Sequence, residues 1–219
     1  MKTIAVLAAM GMEADCFIRR MEDAKPETIA GRDYLRGRVG EAGVVLHRCG
    51  WGMDRSAAGA RAVIEACQPE ALILYGVSGA IVPELALSDT VVASASFPAS
   101  GKYAGEGAKA VPTDEKLADF AMGVLEGARK APVATTQGVI INKKRNDRIV
   151  ERSGAVCSDM ESYTVALTAR ELGVPLLVIR SMSDVVKRSS LLLFFKHGRA
   201  AAEKAAADTE KVIRALAEM

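Results

Sequence analysis

The sequence predicts an α/β fold with a mixed, largely parallel twisted sheet covered by helices on both faces, in one domain over residues 1–219. Short apolar runs, typical of strands buried on both faces, alternate with helix-like segments over most of the chain. Half of the 219 residues are apolar and 5% are aromatic, so small aliphatic side chains dominate the predicted core. This length fits the ~100–200 residues of a single domain.

The elements of the first half follow from apolar runs and from the glycines and prolines that end them. The turn-rich stretch GEAG at 40–43 separates two strand-like segments and predicts a hairpin. The stretch GVSGA directly follows an apolar run and predicts a glycine-rich loop at the carboxyl end of a strand. The predicted elements are a strand at 3–9, a helix at 13–21, hairpin strands at 34–39 and 44–48, a helix at 54–67, a strand at 71–75 and the loop at 76–80.

The second half continues the alternation of strands and helices. Thr113 is expected to cap the helix that follows it, and Gly173 and Pro175 end another helix. The predicted elements are a strand at 90–96, a surface loop at 98–111, a helix at 114–129, a strand at 132–141, a polar helix at 146–152, a helix that ends at 172, a strand at 176–179 and a closing helix from about 200 to 219.

Charge and hydropathy exclude several function classes. The 29 Lys and Arg against 27 Asp and Glu give a net charge of +2, which provides no basic face of the kind that nucleic-acid binding needs. No stretch approaches the ~20 apolar residues of a membrane-spanning helix. The apolar run at 4–10 is followed by Glu13 and Asp15, where a secretory signal would be neutral. We therefore expect a cytoplasmic protein with no nucleic-acid partner and no membrane span.

The cysteines and histidines do not form a metal-binding pattern. Four cysteines are scattered without a CxxC pair, and two histidines accompany them, so no zinc-ligand spacing can be assembled. We expect reduced, mostly buried thiols and neither a metal nor another cofactor. The cysteines are Cys16, Cys49, Cys67 and Cys157.

Three acids, Glu13, Glu161 and Asp184, lie within a few positions of the carboxyl ends of predicted strands. These strand ends converge on one crevice in an open α/β sheet, where partial desolvation suits a carboxylate for proton transfer at neutral pH. Each acid also has a structural explanation. Glu13 and Glu161 fall where a helix dipole favours acids, and Asp184 fits a turn.

Four segments lie in order along nearly the whole chain: IAVLAAMGMEAD, CGWGMDRSAAGA, LILYGVSGAIVP with SDTVVAS, and SDMESYTVALTARELGVPLLVIRSMSD. Together they resemble the nucleoside phosphorylase and nucleosidase superfamily. The superfamily includes purine nucleoside phosphorylases, uridine phosphorylases and 5′-methylthioadenosine/S-adenosylhomocysteine nucleosidases. The stretch RSGAVCSDMES also resembles the hopanoid-associated branch, whose substrate is adenosylhopane.

The resemblance implies cleavage of an N-glycosidic bond through a ribosyl oxocarbenium-like transition state. It assigns Asp184 to protonate or hydrogen-bond the purine N7, with Ser183 helping to place that side chain. It assigns Glu161 to accept hydrogen bonds from the ribose hydroxyls, while Met160 packs against the sugar. A carboxylate on the 2′-OH also stabilises positive charge that develops at C1′.

The same resemblance gives the nucleophile and base sides of the site. Glu13 is the expected base for an attacking water, and Arg180 is expected to order that water or an anion. The base is expected to stack on Ile140 and Ile141, although an aromatic residue is commoner in the family at the first of these positions. Three residues of the glycine-rich loop are expected to lie beneath the ribose and the nucleophile: Gly76, Ser78 and Gly79.

Water and phosphate remain alternatives as the nucleophile. Hexameric phosphorylases carry an arginine at the position of Leu74 and a serine at that of Val77, so both departures favour hydrolysis. Ser78, Arg180 and the basic run at 143–145 leave phosphate open as a co-substrate.

The apolar run LLLFF at 191–195 follows the Asp184 segment. Phe194 and Phe195 are candidates for a hydrophobic lid over an apolar 5′ group, such as a methylthio group or a hopane skeleton. The alternative is a buried helix start or a subunit interface. We expect Trp51 and His47 to have packing roles.

The sequence fits two other function classes less well. A dinucleotide oxidoreductase needs GxGxxG after the first strand, and MGMEAD lacks it. A catalytically silent nucleoside-binding module of the same fold remains an alternative. Because family members are oligomers, the resemblance also implies a homo-oligomer that binds a small nucleoside.

Overall fold

The computed structural model describes residues 3–105, 107–138, 143–185 and 190–219. Within these ranges the chain forms ten strands and six α-helices. The strands are β1 (Thr3–Ala8), β2 (Glu22–Ile29), β3 (Arg32–Val39), β4 (Ala42–Arg48), β5 (Ala71–Ala80), β6 (Thr90–Pro98), β7 (Val111–Pro112), β8 (Arg129–Thr135), β9 (Cys157–Asp159) and β10 (Leu176–Asp184). The helices are α1 (Gly11–Ile18), α2 (Met53–Cys67), α3 (Glu115–Val124), α4 (Lys143–Ser153), α5 (Ser162–Glu171) and α6 (Ser190–Ala217).

These strands join into one mixed sheet, which confirms the predicted fold class. Among the described strands, five pairings are parallel and five are antiparallel. β5 pairs with β1, β9 and β10, so β10, β6, β8, β9 and β5 close into a ring. β1, β4, β3 and β2 extend the sheet from this ring. The parallel strands β1, β4, β5 and β10 therefore end at the same edge of the sheet.

Helices cover both faces of the sheet, as predicted. In β1, Ala5 and Leu7 face the apolar core under α2 and α5, whereas Ile4 and Val6 face the core under α1, α3 and α6. This alternation is the two-residue period of a strand that is buried on both sides. Among the described helices, none has both the length and the hydropathy needed to cross a bilayer.

The predicted hairpin is present between β3 and β4. The two strands pair antiparallel up to Val39 and Ala42, and Gly40 in the two-residue turn has a φ of 58°. Glycine adopts this left-handed conformation without the steric cost of a Cβ, which explains its place in the turn.

β5 and β10 are longer than the apolar runs that predicted them. The expected loop at 76–80 is the second half of β5, and β10 continues to Asp184 instead of ending near 179. The two extensions pair with each other in parallel, with Arg180 opposite Gly76 and Met182 opposite Ser78. Ladder hydrogen bonds therefore overcome the low strand propensity of the glycines and serines, and the loop prediction was wrong.

β2 was missed because its sequence, EDAKPETI, is polar and contains Pro26. It pairs with β3 at the edge of the sheet. An edge strand needs only one row of ladder hydrogen bonds and one covered face, so proline and charged residues are tolerated there.

Helix bounds also differ from the prediction. α3 is capped by Asp114, whose side chain accepts the Leu117 N–H at 2.9 Å, and not by Thr113. Thr113 instead donates its hydroxyl to the Ala93 carbonyl at 2.6 Å. The closing helix α6 begins at Ser190, well before the expected residue 200, so the run at 191–195 lies in its first turns.

Candidate active site

A cavity of about 420 Å³ opens where β1, β4, β5 and β10 end. Its wall is mostly apolar, yet it carries four acids and, among the described residues, no Lys, Arg or His. The lining residues are Ala9, Met10, Glu13, Trp51, Val77, Ser78, Gly79, Ala80, Ile81, Thr136, Gly138, Ser158, Asp159, Met160, Glu161, Ser183, Asp184 and Phe194.

Glu13 lies in the first turn of α1, and its carboxylate is buried against backbone amides. One oxygen accepts the N–H groups of Ala9 at 3.0 Å and Met10 at 2.9 Å, and the other accepts the Val77 N–H at 2.9 Å. Burial raises the pKa of Glu13, while the charge of Arg180 and these amides oppose the rise. A fixed carboxylate with a raised pKa is suited to accept a proton near neutral pH.

Gly76 makes room for Glu13. Its φ is 153°, and a Cβ at this position would lie 2.2 Å from Glu13 Oε1 and 2.8 Å from Arg180 Nη1. Only glycine therefore fits between the two charged groups. Gly76 does not line the cavity itself, and acts behind the wall.

Arg180 is fully buried behind the same wall and does not line the cavity. Its Nη2 lies 2.8 Å from Asp159 Oδ2 and 3.3 Å from Glu161 Oε2. Its Nη1 and Nε have no hydrogen-bond partner among the described residues. Arg180 thus connects the Asp159 carboxylate at the end of β9 with the Glu161 carboxylate at the start of α5 from behind the cavity wall.

Glu161 is the N-cap residue of α5, not a residue of its first turn. Its Oε1 accepts the Gly52 N–H at 3.0 Å, which joins the end of β9 to the start of α2. Burial raises the pKa of Glu161 to about 7, Arg180 opposes the rise, and the charge of Asp159 adds to it. The group therefore titrates near neutral pH in this setting.

Asp184 ends β10 and lies against the strand beside it. Its Oδ1 accepts the Ser183 hydroxyl at 2.8 Å. A Cβ at Gly79 would lie 2.9 Å from Asp184 Oδ2, so the absence of a side chain at this glycine leaves room for the Asp184 carboxylate. Ser78 donates its hydroxyl to the Ser158 carbonyl at 2.7 Å, so that proton is directed to the backbone.

The remaining wall of the cavity is apolar. Met160, Trp51 and Phe194 line it, and the Trp51 side chain is 60% exposed, so our packing interpretation of Trp51 was wrong. Phe195 is 76% exposed and does not line the cavity, unlike its neighbour. His47, as expected, has a structural setting: its Nδ1 lies 3.1 Å from the Asp33 carbonyl.

The structure thus gathers most of the predicted site residues around one cavity. Ile140 and Ile141, the expected base-stacking residues, lie outside the described residues. Sequence reasoning missed Asp159, although it stands two positions before Glu161 in the quoted motif. The feature that could have identified Asp159 is its place at the end of a buried strand, where an acidic residue is unusual. Within the described ranges, no group of three or more His, Cys, Asp or Glu side chains could hold a metal ion.

Curated relatives match most of the chain. The 5′-methylthioadenosine/S-adenosylhomocysteine nucleosidase of Chromohalobacter salexigens is 27% identical over 231 residues, which cover 99% of this chain and 97% of that relative. The corresponding nucleosidase of Shewanella halifaxensis is 28% identical over 204 residues, covering 85% of this chain and 88% of the relative.

Solved structures share the fold. A futalosine hydrolase mutant of Helicobacter pylori has a TM-score of 0.90 at 20% identity and covers 97% of this chain and 99% of its own. The S-adenosylhomocysteine nucleosidase of Streptococcus pyogenes, in complex with 5-methylthiotubericidin, has a TM-score of 0.90 at 22% identity, covering 98% and 97%. A family model described as the phosphorylase superfamily matches residues 3–218. This match confirms the resemblance found in the sequence, and the chain belongs to the phosphorylase superfamily.

Proposed function

We propose that this protein hydrolyses the N-glycosidic bond of a purine nucleoside, a 5′-modified adenosine, and releases free adenine. One observation carries the proposal. A cavity of nucleoside size has acids on its wall and, among the described residues, no cation. Relatives of similar length named as nucleosidases support it.

Each acid has a separate role in the proposed reaction. Asp184 donates a proton or a hydrogen bond to the purine N7, so that the base leaves neutral, and Ser183 holds the Asp184 carboxyl in place. Glu161 accepts hydrogen bonds from the ribose hydroxyls while Met160 packs against the sugar. As positive charge grows at C1′, the interaction with the Glu161 carboxylate strengthens, so it stabilises the transition state more than the bound substrate.

Glu13 is the base that takes a proton from the attacking water. Its two oxygens already accept three backbone N–H groups, which fix the carboxylate relative to the ribose. Arg180 Nη1, buried and without a partner among the described residues, approaches the same space beside Gly76. A water held by Glu13 on the cavity side would add to C1′ from the face opposite the departing base, while Arg180 contributes its charge from behind the wall.

The choice of water over phosphate rests on the charges around the cavity. A phosphate dianion beside C1′ would face Glu13 and Glu161 and would need several cationic or hydroxyl donors. Of the expected donors, Arg180 contacts Asp159 and Glu161 through Nη2 and does not line the cavity, and Ser78 donates to the Ser158 carbonyl. Hydrolysis needs only a base and a positioned water.

The 5′ side of the substrate is proposed to be apolar. Trp51 and Phe194 line the cavity on its apolar wall, and the exposed face of the Trp51 ring leaves contact area for a ligand. A methylthio group or a larger alicyclic group, such as a hopane skeleton, would bury this surface, at about 25 cal/mol per Å² of apolar area removed from water.

The proposal includes a cytoplasmic homo-oligomer. The support is the sequence expectation above and an apolar pair on α6, where Leu192 is 71% exposed and Phe195 is 76% exposed. Pairs of large exposed apolar side chains are commoner where a partner covers them. Light scattering on the purified protein tests the oligomer, and a monomer mass would contradict it.

The test is release of free adenine, measured by chromatography. The panel is adenosine, 5′-methylthioadenosine, S-adenosylhomocysteine, a 5′-alkyl adenosine and inosine. We expect adenine release with higher kcat/KM for the apolar 5′ groups than for adenosine, and little hypoxanthine. Nucleoside binding by calorimetry without any base release would overturn the proposal in favour of a silent binding module. Equal efficiency on adenosine and its 5′-alkyl analogue would remove the apolar 5′ subsite.

A further inference from the structure

Asp159, at the end of β9, is buried and uses both of its carboxylate oxygens in polar contacts. Its Oδ1 accepts the Thr135 hydroxyl at 2.8 Å and the N–H groups of Glu161 and Ser162 at 3.3 and 3.2 Å. Its Oδ2 accepts the Ser162 hydroxyl and lies 2.8 Å from Arg180 Nη2. Oδ1 thus accepts the backbone N–H groups at the start of α5, and Oδ2 binds the buried Arg180.

Asp159 and Glu161 share the same nitrogen of Arg180. The distance to Asp159 is 2.8 Å and the distance to Glu161 is 3.3 Å, and all three side chains are almost completely buried. In such a setting, a charge without a partner is costly, so Arg180 must keep at least one carboxylate close. Because its contact with Arg180 is the shorter one, Asp159 is the carboxylate that balances the arginine charge.

We propose that Asp159 is a positioning residue, which holds Arg180 and so limits its pairing with Glu161, whose Oε2 can then accept a ribose hydroxyl. This inference rests on the proposed function for the identity of the ligand. The link between the two acids through Arg180 does not depend on it. Without the charge of Asp159, Arg180 would pair more closely with Glu161 and compete with the ribose for its Oε2.

The charges around Glu161 give the expected direction of the effect. Arg180 on β10 lowers its pKa, whereas Asp159 on β9 and Glu13 on α1 raise it, and the Gly52 N–H lowers it. The thiol of Cys49, at the end of β4, also faces this group. Loss of the Asp159 charge would remove one raising contribution and strengthen a lowering one, so both changes act in the same direction.

The experiment compares wild type with Asp159→Asn, which keeps an oxygen for the α5 amides but removes the charge. The titration of Glu161 is followed by ¹³C NMR of labelled glutamate carboxyl groups, with Glu161→Gln to assign the signal. We expect the Glu161 midpoint to move to lower pH by about 1 unit in Asp159→Asn. Ser162→Ala removes a neutral contact of both Asp159 and Arg180, and is expected to leave the midpoint near its wild-type position.

Kinetics add a second readout. If Asp159 acts through Glu161, Asp159→Asn lowers kcat/KM on its own, but Asp159→Asn/Glu161→Gln loses no more than about twofold beyond Glu161→Gln. A role in capping α5 alone predicts losses that multiply. If Asp159→Asn does not fold, Asp159→Ser gives a second uncharged variant, since serine accepts amides at helix starts.

The outcomes separate this inference from the proposed function. An unchanged Glu161 midpoint in the uncharged variants overturns the role of Asp159, whether or not the enzyme releases adenine. A shifted midpoint in a protein that releases no adenine supports the Asp159–Glu161 link and overturns the proposed function.

Discussion

The buried acid end of the cavity and its apolar mouth are built in opposite ways. At the acid end, Glu13 and Glu161 are fixed by backbone amides, and Arg180 is held by carboxylates behind the wall. At the mouth, Trp51 is mostly exposed and Phe194 is partly exposed, and no described hydrogen bond holds their rings. We infer that the acid end is rigid and carries the chemistry of the proposed function, whereas the exposed side chains at the mouth are free to move and contribute to the choice of substrate.

The strand extensions explain why the acid end is rigid. Gly76 and Arg180 are paired residues of β5 and β10, so the groups around Glu13 are fixed by sheet hydrogen bonds and not by a loop. A site on strands holds its geometry more precisely than a site on loops. Substitutions at the acid end should therefore act on kcat, and substitutions at the mouth on preference among substrates.

The largest effect is expected from Asp184→Asn. The amide cannot donate a carboxylic proton to the leaving base, so kcat should fall by about 10²–10⁴-fold. Steady-state adenine release measures the loss, and an unchanged melting temperature serves as the folding control. Unaltered turnover would show that Asp184 is not the general acid.

Gly76→Ala tests whether Glu13 can keep its position only because Gly76 has no side chain. The new Cβ would fall 2.2 Å from Glu13 Oε1, so the carboxylate must move and kcat should drop by about 100-fold. Gly123→Ala is the matched control, because that glycine lies in α3 with no atom within 4 Å of an added Cβ. Equal activity in both variants would contradict the fixed position of Glu13.

Trp51→Ala tests the mouth. Loss of the ring should lower kcat/KM for a 5′-alkyl adenosine by about tenfold and leave adenosine nearly unchanged. Met219→Ala is the control, because Met219 is an exposed apolar residue that lies off the cavity wall. We expect it to stay within about twofold of wild type on both substrates. An equal loss of kcat/KM on both substrates would contradict a specific contact between Trp51 and the 5′ group.

The smallest effect is a pH dependence of stability from Glu161. Its pKa rises on folding from 4.5 to about 7, so the folded state binds this proton more tightly than the unfolded state. The contribution is therefore present below pH 4.5 and is lost as pH rises through about 7. Melting temperatures from pH 4.5 to 7.5 should fall more steeply in wild type than in Glu161→Gln. Parallel curves would contradict the raised pKa.

Much of this organisation could be predicted from the sequence. The apolar runs located β1 and the cores of β5 and β10, because strands buried on both faces need continuous apolar residues. The acids at their ends, Glu13 and Asp184, followed from the rule that such ends meet at one crevice. Both residues lie on the same cavity.

The remaining features depend on contacts between distant segments. β2 has a polar sequence and exists because β3 pairs with it, and the extension of β5 exists because β10 lies beside it. Asp159 looked like an ordinary residue before Glu161, and its importance depends on Arg180, which comes from another strand. Local pattern cannot report such long-range pairings.

The most direct test of the central claim is the fate of phosphate. The enzyme is incubated with 5′-methylthioadenosine in phosphate buffer, and the products are followed by ³¹P NMR together with adenine release. An acid-lined cavity that activates water predicts free adenine, no 5-methylthioribose 1-phosphate signal and a rate that does not depend on phosphate. A 5-methylthioribose 1-phosphate product formed in step with adenine would contradict hydrolysis and identify the protein as a phosphorylase.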